Sequence, residues 1–295
     1  MPKPIVEGAR VMLGKHRARK LGAKGAVVCQ RVSPRQLETR AEDRHRCLCN
    51  YCRHEMEILP LGDSALIVRV RERFEDAPEE TLDEVLRAFQ QLQSAAIPGT
   101  IELASAYTSV AVFFDPIAVA KASGTPGEVF DWLATKIRGV LSSVVAVSHR
   151  RRSPHAPRVI EIPVCYDPEF ALDLDDVAEH AKISTSEVVA LHSVTEYRVS
   201  CIGFVPGFPF LAGLPKKLAT PRRDTPRKEI PPGSVGIGGA QTGIYPLRSP
   251  GGWNLIGRTP LKLFDSRTHP PALLRAGDRV RFRAITRAEF DSLKR

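Results

Sequence analysis

The chain has 295 residues, long enough for two domains each with its own core, and its 43% hydrophobic and 26% charged content is that of a soluble globular protein. No apolar run approaches the roughly 18 residues that cross a bilayer, and the N-terminus lacks an apolar signal core, so a cytoplasmic protein without a membrane contact is expected. The formal charge of +10 suggests a nucleic-acid partner, but the first 55 residues hold 13 Lys and Arg against 5 Asp and Glu; the remainder is near +2, the basic character belongs to the tail, and no nucleic acid is expected.

Residues 1–55 show neither helical period nor alternation and are read as a basic, disordered extension. Within them Cys47, Cys49, Cys52 and His54, with His45 nearby, offer four soft ligands. A structural zinc site usually pairs two separated knuckles, which this segment lacks, so no metal is assigned. The chain's six cysteines, in a sequence with no secretory signal, are expected as free thiols.

From Met56 the pattern becomes orderly. Ala65–Val70 reads as a strand and Thr81–Ala96 as a helix, opened by Thr81 and Glu84 at capping-box spacing. Ile101–Leu103 and Ser109–Phe114 read as strands, the second stopping at Asp115-Pro116. A second helix follows the capping box at Thr125 and Glu128, and Ser143–Val147 closes with a strand. The order β-α-β-β-α-β is that of a ferredoxin-like α+β domain, placed at 56–148. Its polar words, Gly62-Asp63-Ser64 and Tyr107-Thr108-Ser109, read as turn and strand-edge chemistry. The charged, proline-rich run at 149–158 reads as a linker.

The second domain, 159–295, opens with the strand Val159–Val164 and two short helices, Asp173–Ala181 and Ser184–His192, the latter with Ser184 and Glu187 at capping-box spacing. A strand Tyr197–Phe204 leads into the segment that dominates the chain. About half of its 21 glycines and 24 prolines fall between Ser200 and Leu261. Such density implies tight turns and rigid loops around short strands such as Ser234–Ile237 and Trp253–Ile256. Rigid loops carrying Arg222, Arg223, Arg227, Gln241, Tyr245, Ser249 and Arg258 read as a binding surface. The chain ends with an alternating strand at Gly277–Ile285 and a short helix, Arg287–Lys294.

The words Gly203-Phe204-Val205-Pro206-Gly207-Phe208-Pro209-Phe210-Leu211, Pro226-Arg227, Pro232-Gly233-Ser234-Val235, Gln241-Thr242-Gly243-Ile244-Tyr245-Pro246, Ser249-Pro250-Gly251-Gly252-Trp253 and Ile256-Gly257-Arg258-Thr259-Pro260 resemble the family of 5-oxoprolinase B subunits, also called allophanate hydrolase subunit 1 and including KipI. The resemblance spans about residues 56–290, and Met56 stands where the family's chain usually opens, so the leading segment reads as an extension. It implies a mainly β, cyclophilin-like barrel for the second domain. It further implies one component of an ATP-dependent amidohydrolase that opens the cyclic amide 5-oxoproline to glutamate, inactive or nearly so alone. The implied partners are the A subunit of 5-oxoprolinase and its biotin-dependent carboxyltransferase-like C subunit in a hetero-oligomer, with ATP and its Mg2+ as cofactors. Two alternatives stay open: a carboxyltransferase component of a urea-carboxylase-like system, and a KipI-like inhibitor of a sensor histidine kinase.

The chemistry calls for cations, an oxyanion donor and a base. His192, resembling a family histidine, is expected as the acid/base; Arg227 as an anion clamp; Gln241 and Tyr245 as hydrogen-bond partners of an amide or carboxylate. Phe204, Pro206, Gly207, Phe208, Arg222, Ser249 and Arg258, with the glycine-rich pair Gly238 and Gly239, are expected to line the substrate or nucleotide site. No P-loop or zinc-protease helix is present.

Overall fold

The computed structural model describes residues 16–19, 28–31, 56–124, 126–142 and 159–294. The chain separates into two units, Met1–Arg53 and His54–Arg295. In the first, β1 (His16–Arg19) pairs antiparallel with β2 (Val28–Arg31), two strands that the sequence pattern does not announce. The Cys47, Cys49, Cys52 and His54 cluster, the strand expected at Ser143–Val147 and the linker at 149–158 all lie outside the described residues.

The second unit opens with β3 (Glu57–Pro60), β4 (Ala65–Arg69), α1 (Pro78–Ala95), β5 (Thr100–Ala106), β6 (Ser109–Phe114), α2 (Pro116–Ser123) and α3 (Val129–Ser142). The strands form one antiparallel sheet in the order β3-β4-β6-β5. Strand β6 lies between β4 and β5, which the helix α1 connects, so this part is a split β-α-β arrangement. The strand β3 is an addition to the expected set and takes the edge beside β4. The helix α1 starts a turn earlier than expected, because Pro78 suits the first helical position. Thr81 then lies inside the helix and donates to the Ala77 carbonyl at 2.6 Å instead of capping. Asp115-Pro116, read from the sequence only as a strand stop, also starts α2: Asp115 accepts from the amides of Ile117 and Ala118. The sheet buries Leu66, Val68, Val110, Val112 and Phe114 against Val85 and Leu92 of α1 and Leu133, Ile137 and Leu141 of α3.

The rest of the unit comprises β7 (Val159–Cys165), α4 (Leu174–Ala181), α5 (Thr185–Val194), β8 (Glu196–Ile202), β9 (Pro209–Ala212), β10 (Arg227–Ile230), β11 (Ser234–Gly238), β12 (Gln241–Ile244), β13 (Ser249–Gly251), β14 (Asn254–Arg258), β15 (Arg279–Ile285) and α6 (Arg287–Leu293). Seven strands close into a barrel in the order β11-β12-β9-β8-β15-β7-β14, and β10 pairs separately with β13. The β15–β7 pair is parallel, from Arg279 opposite Val159 to Ile285 opposite Cys165. Ile162, Val164, Val199, Leu211, Val235, Ile237, Ile244 and Ile256 fill the barrel interior, and Val177 and Ala178 of α4 and Val188 of α5 join them. The capping box of α5 forms as expected, with Ser184 and Glu187 bonding reciprocally. Arg227, Gln241, Ser249 and Arg258, expected on loops, stand on strands. Glycines inside β11, β12 and β14 hide the alternation. At Gly238, a Cβ would come within 2.5 Å of the Trp253 indole nitrogen, so close aromatic cover dictates glycine there.

The two lobes of this unit touch. Arg198 of β8 binds Glu79 and Asp83 of α1, and Leu86 of α1 packs so closely on Gly277 that a Cβ there would approach it to 2.6 Å. Among the described residues no helix is long and apolar enough to cross a membrane.

Candidate functional site at the lobe junction

His192 lies in the last turn of α5 with no exposed surface. Its ring stacks on Phe282, centroids 4.4 Å apart and planes 18° apart. Thr242 of β12 donates its hydroxyl hydrogen to the Gly236 carbonyl at 3.0 Å, so its oxygen accepts from His192 Nε2, 3.1 Å away. Nδ1 is then the acceptor for the Tyr166 hydroxyl at 2.8 Å. Burial pushes the His192 pKa down to about 3. Both ring nitrogens are engaged and the imidazole is neutral, so in this arrangement His192 ties α5 to the barrel wall.

Arg227 is also spoken for. Its guanidinium grips Asp173 with two hydrogen bonds of 2.8 Å, while Arg223 reaches the same carboxylate at 2.6 Å and the Leu255 amide donates to it at 2.7 Å. Asp173, 1% exposed, is thus a buried counterion joining the start of α4 to β10 and β14. Arg227 itself stays 23% exposed, with two of its five N–H donors facing Asp173.

Phe208 and Tyr245, buried at 1% and 2% exposure, pack with Ile230, Trp253 and Leu255 in a small aromatic core. Phe208 meets Tyr245 edge-on at 5.1 Å and Trp253 at 5.5 Å. Neither ring offers a surface to a ligand. Gly207, at φ +81, is buried with Phe264 against it, and Gly238 lies under Trp253. The Ser249 hydroxyl is buried with no hydrogen-bond partner among the described residues. Gly239, at φ +64, is exposed, but its amide donates to the Thr220 carbonyl at 2.7 Å. Among the described residues there is also no group of three or more His, Cys, Asp or Glu arranged to hold a metal.

Accessible surface remains at Phe204, Pro206, Arg222, Gln241 and Arg258. Phe204 is 61% exposed, held at φ +68 by the turn that leads to Phe208. Arg258 donates to the Pro232 carbonyl at 2.9 Å and stacks on Phe170, away from the others. Arg222 lies over the Trp253 ring, 5.8 Å from its centroid. Gln241, at the start of β12, meets Tyr107 from the turn between β5 and β6: the phenol oxygen is 3.1 Å from Nε2 and 3.3 Å from Oε1. Tyr107 packs edge-on against Phe74 at 5.4 Å and Phe210 at 6.1 Å, and Phe210 in turn touches Trp253 at 5.9 Å. Burial raises the Tyr107 phenol to about 12, with the nearby Cys201 thiol adding and Gln241 opposing. Cys201, free and buried, is itself pushed up to about 11 by burial. Through Phe210 and Trp253 a run of ring contacts thus links a cation on an aromatic face, Arg222, to an amide and a phenol at the lobe junction.

The family model described as "Carboxyltransferase domain, subdomain C and D" matches residues 56–274. The chain belongs to that family. Relatives carry the name that the motifs suggest. The B subunit of 5-oxoprolinase from Bacillus subtilis (strain 168) is 41% identical over 244 residues, covering 81% of this chain and 96% of that protein. Its counterpart of the same name from Escherichia coli O157:H7 is 58% identical over 125 residues, 42% of this chain and 57% of that one. Among solved structures, TTHA0988 superposes with a TM-score of 0.60 at 35% identity, covering 75% of this chain and 40% of that chain. The urea amidolyase of K. lactis shares the fold, with a TM-score of 0.62 at 20% identity over 80% of this chain and 15% of that one. Tyr107 is the site residue that sequence reasoning passes over. It stands in a word that reads as turn chemistry, and its partner lies 134 residues away. Asp173, Thr242 and Tyr166 escape notice for the same reason, being polar residues whose partners come from other elements.

Proposed function

We propose that this chain is the B subunit of a cytoplasmic, ATP-dependent 5-oxoprolinase that opens 5-oxoproline to glutamate together with its A and C subunits, in a hetero-oligomer in which it has little or no activity alone. The observation that carries the reading is the 41% identity to a 5-oxoprolinase B subunit over 96% of that protein's length. We also take the first lobe to complete a ferredoxin-like domain and the barrel to be cyclophilin-like, as the motifs suggest.

The substrate is a five-membered lactam bearing a carboxylate. Arg222, held over Trp253, offers the carboxylate a cation, and Gln241 offers the lactam an amide with donor and acceptor capacity. The exposed Phe204 and Pro206 lie on the same β8–β9 turn that sends Phe208 into the aromatic core, and they supply apolar cover. Arg258 remains a cation at the barrel's other flank. ATP is the co-substrate in this reading, and Mg2+ comes with the nucleotide. The urea-carboxylase-type and kinase-inhibitor readings are not favoured, since the curated relatives carry the name of the 5-oxoprolinase B subunit.

The test is ATP-dependent glutamate release from 5-oxoproline by this chain mixed with its cognate A and C subunits, each omitted in turn. Release that stops when this chain is left out is the expected result. A folded, verified complex that releases no glutamate would remove the assignment.

A further inference from the structure

Tyr107 occupies the first central position of a two-residue hairpin loop, between Ala106 and its cross-strand partner Ser109. Its φ is +36, in the left-handed region where glycine or asparagine is the usual choice. A bulky aromatic residue kept in such a conformation needs surroundings that over-determine it. They are present: Phe74 and Phe210 hold the ring edge-on from two sides, one from each lobe, and the hydroxyl meets Gln241 of the barrel. The turn delivers one phenol across the lobe boundary to the Gln241 amide, with the Cys201 thiol of β8 also beside it.

An isolated side-chain glutamine amide turns freely about its last bond and can present either its oxygen or its nitrogen to a ligand. The Tyr107 hydroxyl stands at the edge of the amide where both atoms are within reach. Whichever of the two bonds it makes, at least one N–H and one oxygen lone pair remain for a ligand, and the amide is held in place while either end can be turned to suit that ligand. The same aromatic chain runs from Tyr107 through Phe210 and Trp253 to Arg222, so the cation and the amide are spaced by packed rings. The positive charge of Arg222 also reaches the phenol and opposes the upward push of burial, which dominates.

We infer that Tyr107 is a positioning residue of the first lobe that orients the Gln241 amide toward a small lactam whose carboxylate Arg222 receives. This rests on the 5-oxoprolinase reading and names the residue that couples the two lobes to substrate recognition. Tyr107 itself need not touch the substrate; it acts through Gln241.

The experiment is steady-state kinetics of the assembled complex carrying Tyr107→Phe, which keeps the ring and removes the hydroxyl. The expected result is a KM for 5-oxoproline raised about tenfold, the size of effect that one lost hydrogen bond gives, with kcat and the KM for ATP within about twofold of the parent. Tyr107→Phe in a Gln241→Ala background should then raise KM no further, because the two residues act as one unit. A merely structural role would lower the melting temperature and the active fraction without this split. A KM for 5-oxoproline unchanged in Tyr107→Phe, in a complex whose parent is active, overturns the inference and leaves the 5-oxoprolinase reading standing. A parent complex with no activity overturns the reading, and the inference falls with it.

Discussion

A histidine that donates from Nε2 to Thr242 and accepts at Nδ1 from Tyr166 is kept neutral by its burial, and protonating it would also break the Tyr166 bond inside an apolar wall. The stability consequence has a definite sign. The pKa is ordinary, near 6.5, in the unfolded chain and about 3 in the fold, so the unfolded state binds more protons between those values. The stabilisation is complete above pH 6.5 and is lost as pH falls toward 3. His192→Gln keeps a polar side chain that does not titrate. The parent's advantage over this variant in urea denaturation should therefore shrink by about 2 kcal/mol from pH 6.5 to pH 5, at about 1.4 kcal/mol per pH unit. Parallel stability curves for the two proteins would mean that the ring already carries its proton in the fold or reaches solvent.

At the scale of elements, a single buried carboxylate organises the segment that the glycines and prolines make hard to read. Asp173 stands at the N-cap of α4, yet makes no side-chain bond to that helix; its oxygens take Arg223, Arg227 and the Leu255 amide instead. Asp173→Ala would leave two guanidiniums and an amide without their acceptor. Because both arginines are partly exposed, at 34% and 23%, the loss should sit at the lower end for a broken buried pair, about 3 kcal/mol by urea denaturation. A loss below about 1 kcal/mol would show that water replaces the carboxylate. The helix boundary itself is legible from the aspartate, and the Ser184–Glu187 cap is legible in full, because capping is a local matter of three residues. Strand β12 is not, since Gly243 interrupts its alternation and its place is set by β9 and β11 on either side. Nor is the barrel's closure: β7 and β15 run parallel although more than a hundred residues separate them, and no local pattern records such a pairing. The site follows the same rule. Gln241 and Arg222 can be singled out by residue type and motif, whereas the occupation of Arg227 and His192 depends on partners supplied by distant elements.

At the scale of the whole unit, each lobe has its own core, and what joins them is a short set of contacts. Arg198 is the most heavily engaged: 9% exposed, it reaches from β8 to Glu79 and Asp83 on α1, with its Nε left without a partner among the described residues. Both acids are more than half exposed, so the pairs are screened from one side and truncating the arginine should cost only about 1–2 kcal/mol. The larger effect should be on coupling. With separate cores and a weakened junction, Arg198→Ala should split a single calorimetric unfolding transition into two, the mark of lost cooperativity between lobes. Because lobe placement brings Tyr107 to Gln241, the same variant should raise the KM for 5-oxoproline in the assembled complex although Arg198 lies on another strand from both. One unchanged transition together with an unchanged KM would locate the coupling at Leu86 and Gly277, where the helix and the barrel turn already meet without charge.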